Sequence, residues 1–153
     1  MLKRVLMLGF VLLLTMSFST PWATSQQDQD RVPAFHQAPP PPSDKLAPIL
    51  GKEKLWGGND QFPFQARSYE VAGKISSILY QQPCYCYCDR NHGHKSLHTC
   101  FESTHGAMCG TCMAEVFYSY QTSKQHKTAA EIRKGIIAGE WKKIDLSSAS
   151  SIN

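Results

Sequence analysis

Residues 83–112 read PCYCYCDRNHGHKSLHTCFESTHGAMCGTC, and they hold all six cysteines and four of the six histidines of the 153-residue chain. No hydrophobic core requires so many soft or borderline ligands in so short a window. The chemistry of this chain is therefore thiol and imidazole chemistry, and it is located here. Such thiols hold a metal, exchange electrons or staple the chain, and the spacing bears on each.

If Pro83–Cys88 is extended, Cys84, Cys86 and Cys88 point to one face and Tyr85 and Tyr87 to the other. Successive thiols then sit on Cα atoms about 6.6 Å apart, near the upper limit for a disulfide. Such cysteines want partners elsewhere: a metal, or Cys100, Cys109 and Cys112. If the same segment coils as a loop, three converging thiols become feasible. The two tyrosines read as core or cap aromatics. Cys109 and Cys112 stand three apart beside an expected helix start, where aligned amide dipoles favour thiolate and lower a cysteine pKa. The pair serves equally well as two metal ligands. His94, His98 and Cys100 can share a site if a short helix forms over Ser96–Glu102, with Ser96 as N-cap. His92 and His105 read as polar residues of a glycine-rich loop, and His36 and His126 as unrelated to the cluster.

Working outward, Val71, Ile75, Ile78 and Leu79 form one apolar stripe of a helix over residues 67–81, which Pro83 stops. A longer helix is expected from Ala107 to Ser123, with Met113, Val116, Phe117 and Tyr120 on its inner face. Thr128 and Glu131 fit a capping box. It opens a last helix to about Lys142 that buries Ile132, Ile136, Ile137 and Trp141, although Gly135 and Gly139 weaken it. The expected fold is thus mainly α, one small domain of about four helices around a Cys/His-rich loop, spanning residues 66–146. A core that small usually needs disulfides or a metal.

Before it, residues 26–45 carry a four-proline run and little that is apolar, which predicts a disordered tether. Residues 46–65 predict a loop that lays a few aromatics on the domain surface, and residues 147–153 a frayed serine-rich tail. At the start, Lys3 and Arg4 precede an apolar run over Val5–Leu14 and small residues at Ala23-Thr24-Ser25. That pattern is a secretory signal peptide of residues 1–25, and its apolar run is shorter than the roughly 20 residues that span a bilayer. The expectation is an exported protein, periplasmic or extracellular, with no stable membrane anchor after cleavage. Sixteen basic residues less Lys3 and Arg4 leave 14 against 12 acidic ones, too balanced to argue for nucleic acid. No Ser/His/Asp set, carboxylate pair or glycine-rich phosphate loop argues for a hydrolase or a nucleotide-binding enzyme.

Three readings of the cluster follow. Thiolate with imidazole suits Zn(II) or Cu(I), with Cys84, Cys86, Cys88, His94, His98, Cys100, Cys109 and Cys112 as candidate ligands. A thiol redox protein would cycle Cys109–Cys112, or Cys88 with a neighbour, against a redox partner protein. An exported chain with an even number of cysteines also suits plain disulfide staples, in any of 15 pairings.

Pro83-Cys84-Tyr85-Cys86-Tyr87-Cys88, Gly93-His94-Lys95-Ser96-Leu97 with Cys100-Phe101, and His105-Gly106 with Cys109-Gly110-x-Cys112 resemble the bacterial PCYCGC (CYCXC) family. The resemblance extends through Tyr69, Ala72 and Glu131-Ile132-Arg133 and covers roughly residues 66–145. It implies a small exported protein, of a kind often lipid-anchored, whose function is uncharacterised. Relatives with selenocysteine in the motif imply a reactive thiol at Cys88, if its last cysteine is the one replaced. Two departures stand out. Tyr87 occupies the place of the motif's glycine, where positive φ would come easily. The lipid-anchoring cysteine is missing, which implies a soluble product after cleavage.

Overall fold

The computed structural model describes residues 31–55 and 62–152. The expected signal peptide, residues 26–30 and Trp56 lie outside these. Among the described residues the chain is helical with no strand: α1 (Pro63–Lys74), α2 (Ser76–Tyr80), α3 (Cys88–Asn91), α4 (Gly110–Lys124) and α5 (Ala129–Ile137). Short 3-10 turns cover Lys52–Lys54, Leu97–Phe101, Thr104–Met108, Glu140–Lys143 and Ala149–Ser151. No helix among the described residues is long and apolar enough to cross a membrane.

α4 is the central element. Its inner face buries Met113, Val116, Phe117 and Tyr120 as expected, and Cys112, Ala114, Glu115 and Ser119 are buried as well. A helix buried on so much of its circumference must be packed from several sides, and α1, α5 and the turns at Thr104–Met108 and Glu140–Lys143 all contact it. It begins at Gly110 rather than Ala107, because Cys109 (φ −127°, ψ 111°) leaves the helical region and the residues before it form a separate turn.

The expected helix over residues 67–81 starts earlier and is broken in two. Pro63 occupies the first helical position, where its missing N–H costs nothing, and Gln65 Oε1 accepts the Phe62 N–H at 3.2 Å. The break falls at Ile75 (φ −126°, ψ 26°). Ser76 follows, its hydroxyl donating to the Ala72 carbonyl at 3.3 Å, a local bond that competes with the helical ladder. The stripe survives the break: Val71, Ile75 and Leu79 are buried and Ile78 packs against them.

Thr128 and Glu131 form the expected capping box, with the Thr128 N–H donating to Glu131 Oε2 at 2.8 Å. The helix it opens ends at Ile137, not Lys142, because Gly139 takes the left-handed conformation (φ 76°) and starts a new turn. Ile137 is consequently exposed and Trp141 only half-buried, while Ile132 and Ile136 are fully buried. Gly135 has a packing role: a Cβ there would strike the Tyr118 hydroxyl, which crosses over it to donate to Glu140 Oε2 at 2.6 Å.

The segments read as peripheral are partly built into the domain. Of the expected tether, the stretch around Pro33–His36 lies against it. The Ala34 N–H donates to Asp89 Oδ2 at 3.0 Å, His36 stacks on Tyr80 at 3.8 Å and Arg133 lies 4.7 Å from the Phe35 ring. Leu55, in the expected surface loop, is completely buried, and the Leu50 N–H donates to the Phe101 carbonyl at 2.8 Å. The tail is docked rather than frayed: Ala149 is in the core and Arg67 donates two hydrogen bonds to the Ile152 carbonyl. These contacts are long-range in sequence, and no local composition encodes them.

Leu55→Ala should therefore cost about 2–5 kcal/mol, as for a core leucine, where a surface loop would lose almost nothing. Urea unfolding followed by circular dichroism measures the difference.

Candidate metal centre

The coil over residues 83–88 brings the first three thiols together. The Tyr87 N–H donates to the Cys84 carbonyl at 3.0 Å, closing a turn, so the segment is not extended. Tyr87 then takes φ 57°, ψ 34° and caps α3, which begins at Cys88. This is the position where the family motif carries glycine. A left-handed conformation costs a non-glycine residue about 1–2 kcal/mol. The Arg90 guanidinium, 4.0 Å from the Tyr87 ring, and the Tyr85 ring, edge-on at 5.8 Å, pack the side chain there. With the turn closed, Cys86 Sγ lies 3.0 Å from Cys84 Sγ and 2.9 Å from Cys88 Sγ.

The backbone around this loop is tied down from several elements. Glu115 of α4 accepts the Tyr85 N–H on Oε1 at 2.8 Å. Burial lifts its carboxyl to about 8, so at neutral pH the interior holds an acid rather than a bare charge. Gln82 Nε2 donates to the Ile78 and Ala129 carbonyls, and the Gln82 carbonyl accepts from Leu97 N–H at 2.9 Å. Arg133 donates to the Gln81 carbonyl at 2.9 Å. The loop is thus clamped by α5 just before the cysteines and by α4 between the first two of them.

Three further elements complete the cluster. Cys112, in the first turn of α4, brings its sulfur within 3.4 Å of both Cys84 and Cys86. The 3-10 turn Leu97–Phe101 carries Cys100, with His94 Nδ1 at 3.2 Å from its sulfur. Ser96 is the residue before that turn, but its side chain makes no capping bond. The turn Thr104–Met108 carries His105, whose Nε2 lies 2.9 Å from Cys88 Sγ. Two side chains of α1 hold this last turn. Tyr69 Oη donates to the Ser103 carbonyl at 2.6 Å and accepts the Ala107 N–H at 3.1 Å, while Gln65 Nε2 donates to the Ala107 carbonyl at 2.9 Å. Gly106 lets the turn approach, since a Cβ there would come within 2.9 Å of the Cys100 carbonyl oxygen.

All six cysteines are free thiols. Three donor groups result, the ligand atoms of each lying within 4.8 Å of one another: Cys84, Cys86, Cys100 and Cys112; Cys86, Cys88 and His105; Cys88, His94 and Cys100. Each is compact enough to hold a metal ion. Contacts from Cys100, Cys109, Cys112 and Cys84 hold the Cys86 thiol far below its ordinary range. Ionisation of the others is opposed. Burial raises Cys84 and Cys88, and contacts with Cys100 and its neighbours raise Cys112. The sequence-based expectation that the helix end lowers Cys109 and Cys112 does not hold. At Cys109 the contact with Cys112 pulls downward, but contact with Cys86 and burial outweigh it. His94 is lowered by burial and by His105, which favours the neutral ligating form.

Of the expected ligands, Cys84, Cys86, Cys88, His94, Cys100 and Cys112 converge. Cys109 stands at the half-buried edge beside Cys112 and Cys86, outside the three groups. His98 is not brought in: it is buried with Nδ1 2.9 Å from Glu102 Oε1, and its Nε2 has no partner among the described residues. His105 was missed. Its turn folds back onto Cys100, a tertiary contact, and the one local hint was the His-Gly pair, which places a small residue beside a possible ligand.

Tyr69→Phe should leave the Ala107 N–H and Ser103 carbonyl unpaired and cost about 1–3 kcal/mol, read from chemical denaturation. At position 87 backbone conformation should outweigh side-chain chemistry. Tyr87→Gly should stay close to the parent midpoint, relief of strain offsetting the lost ring contact. Tyr87→Val keeps the strain and loses the ring contact with Arg90, and should lose about 0.5–1 kcal/mol.

No curated protein and no solved structure matches the chain. A family model does match, over residues 57–143, which includes α1 to α5 and every member of the three donor groups. The chain belongs to the family described as proteins of unknown function with a PCYCGC motif.

Proposed function

We propose that this is an exported metal-binding domain for a thiophilic d10 ion, Cu(I) in the first place, held by Cys84, Cys86, Cys88, Cys100, Cys112, His94 and His105. One observation carries the reading: Cys86 Sγ is within 2.9–3.4 Å of three other sulfurs, those of Cys84, Cys88 and Cys112. A disulfide joins two sulfurs and gives a third no reason to approach. A soft cation bonds several at once, and thiolates select Cu(I) and Zn(II). Two of the donor groups offer two sulfurs and one imidazole nitrogen. That set suits trigonal Cu(I), whereas structural Zn(II) takes four ligands, a number that only the group of Cys84, Cys86, Cys100 and Cys112 offers among the described residues.

The same packing weighs against a Cys109–Cys112 redox couple, since the Cys112 sulfur is engaged within 3.4 Å of both Cys84 and Cys86. The basic start, apolar run and small residues of positions 1–25 support export to the periplasm or the extracellular space. There thiols oxidise by default, and a bound metal would keep them from pairing.

Reduced protein incubated with Cu(I) under argon, against a competing chelator, should retain copper in stoichiometric amount. Its cysteines should resist alkylation until the metal is removed. Protein isolated from its native compartment with no stoichiometric metal and six oxidised cysteines would overturn the proposal.

A further inference from the structure

The way the three donor groups overlap carries a second conclusion, which rests on the metal-binding reading above. Each pair of groups shares one residue: the first and second share Cys86, the second and third Cys88, the first and third Cys100. No two groups can therefore be filled independently. Either one metal occupies one group, or the shared residues bridge.

All three shared residues are cysteines, and the unshared positions are Cys84 and Cys112 in the first group, His105 in the second and His94 in the third. That division follows ligand chemistry. A thiolate sulfur keeps lone pairs after its first metal bond and can bind a second metal. A neutral imidazole has one free ring nitrogen lone pair and terminates. Had a histidine been shared, the overlap would be a crowding of side chains and nothing more. The groups together call for ten donor positions, and seven residues fill them because three serve twice.

We infer that the domain takes three Cu(I) ions in one thiolate-bridged cluster, a six-membered ring of alternating metal and sulfur with Cys86, Cys88 and Cys100 as its bridges. Cys84 and Cys112 complete one metal, His105 the second and His94 the third. Metal–thiolate bonds of about 2.3 Å set sulfurs on one metal about 3.8–4.0 Å apart. The closest sulfur pairs here are 2.9–3.4 Å apart, so the ring requires those sulfurs to part by about an ångström or less.

The balance involves no electron transfer. Three Cu(I) ions bind five thiolates, the remaining thiol protons leave to solvent, and the cluster carries two net negative charges. Because each bridging sulfur belongs to two metals, an ion bound in one group fixes a ligand of the next, and the sites should fill together.

The test is a titration of the fully reduced chain with Cu(I) under argon, read by native mass spectrometry and by X-ray absorption. The wild type should pass from metal-free to three-copper species with little one- or two-copper protein between them, and the loaded form should show a short Cu–Cu vector. Cys88→Ser removes the bridge common to both three-donor groups and leaves the four-sulfur group whole, so its plateau should fall from three to one. Cys84→Ser removes a terminal ligand from a group that keeps three sulfurs, so its plateau should stay at three. A wild-type plateau at one, with no Cu–Cu vector, overturns the cluster and leaves metal binding standing; no copper at all overturns both. The wild-type plateau and vector decide the matter even if a variant fails to fold.

Discussion

Everything in this domain is arranged around the sulfur of Cys86, which lies within hydrogen-bond distance of the sulfurs of Cys84, Cys88 and Cys112. Bringing thiols together this closely gains little by itself. A sulfhydryl is a weak donor and a weak acceptor, and each ionisation makes the next harder in a buried place. The interior has accepted that frustration: Cys86 is held low by its neighbours while Cys84, Cys88 and Cys112 are raised. A bound cation would resolve it by replacing several protons at once, and its binding would then add directly to folding stability.

The scaffold places donors from four separate segments, and each is fixed through its backbone. α1 holds the His105 turn by taking both the N–H and the carbonyl of Ala107 into hydrogen bonds with Tyr69 and Gln65. α4 contributes Cys112 to the thiol cluster and, one turn on, Glu115 as the acceptor for the Tyr85 N–H. Gln82, pinned to Ala129, and Arg133, bound to the Gln81 carbonyl, connect the cysteine loop to α5. Ligands held in this way lose little freedom on binding, which is where preorganisation raises affinity.

Local chemistry made much of this legible beforehand. The inner face of α4, the Thr128–Glu131 capping box and the convergence of six of the eight expected ligands all follow from spacing and residue type. What escaped depends mostly on contacts that spacing and residue type do not encode. His105 reaches Cys88 because its turn folds under Tyr69, and His98 is drawn instead to Glu102, four residues on. Leu55, Ala149 and Pro33 come from segments whose polarity and proline content suggested solvent, yet all are buried. The break at Ile75 was hidden because the apolar stripe runs through it unchanged. Periodicity reports which face is buried and is silent on whether the helix under it is continuous.

The tyrosine at position 87 shows how firmly the loop geometry is imposed. Three alternating cysteines in an extended chain would offer one face and never a common point. The turn closed by the Tyr87 N–H and the Cys84 carbonyl, followed by a left-handed residue, turns that alternation into a convergence. A glycine enters that conformation freely, and the family motif has one there. This chain reaches the same φ and ψ with a tyrosine and secures it under Arg90. What position 87 must supply is therefore the backbone angle, which decides whether the three sulfurs meet.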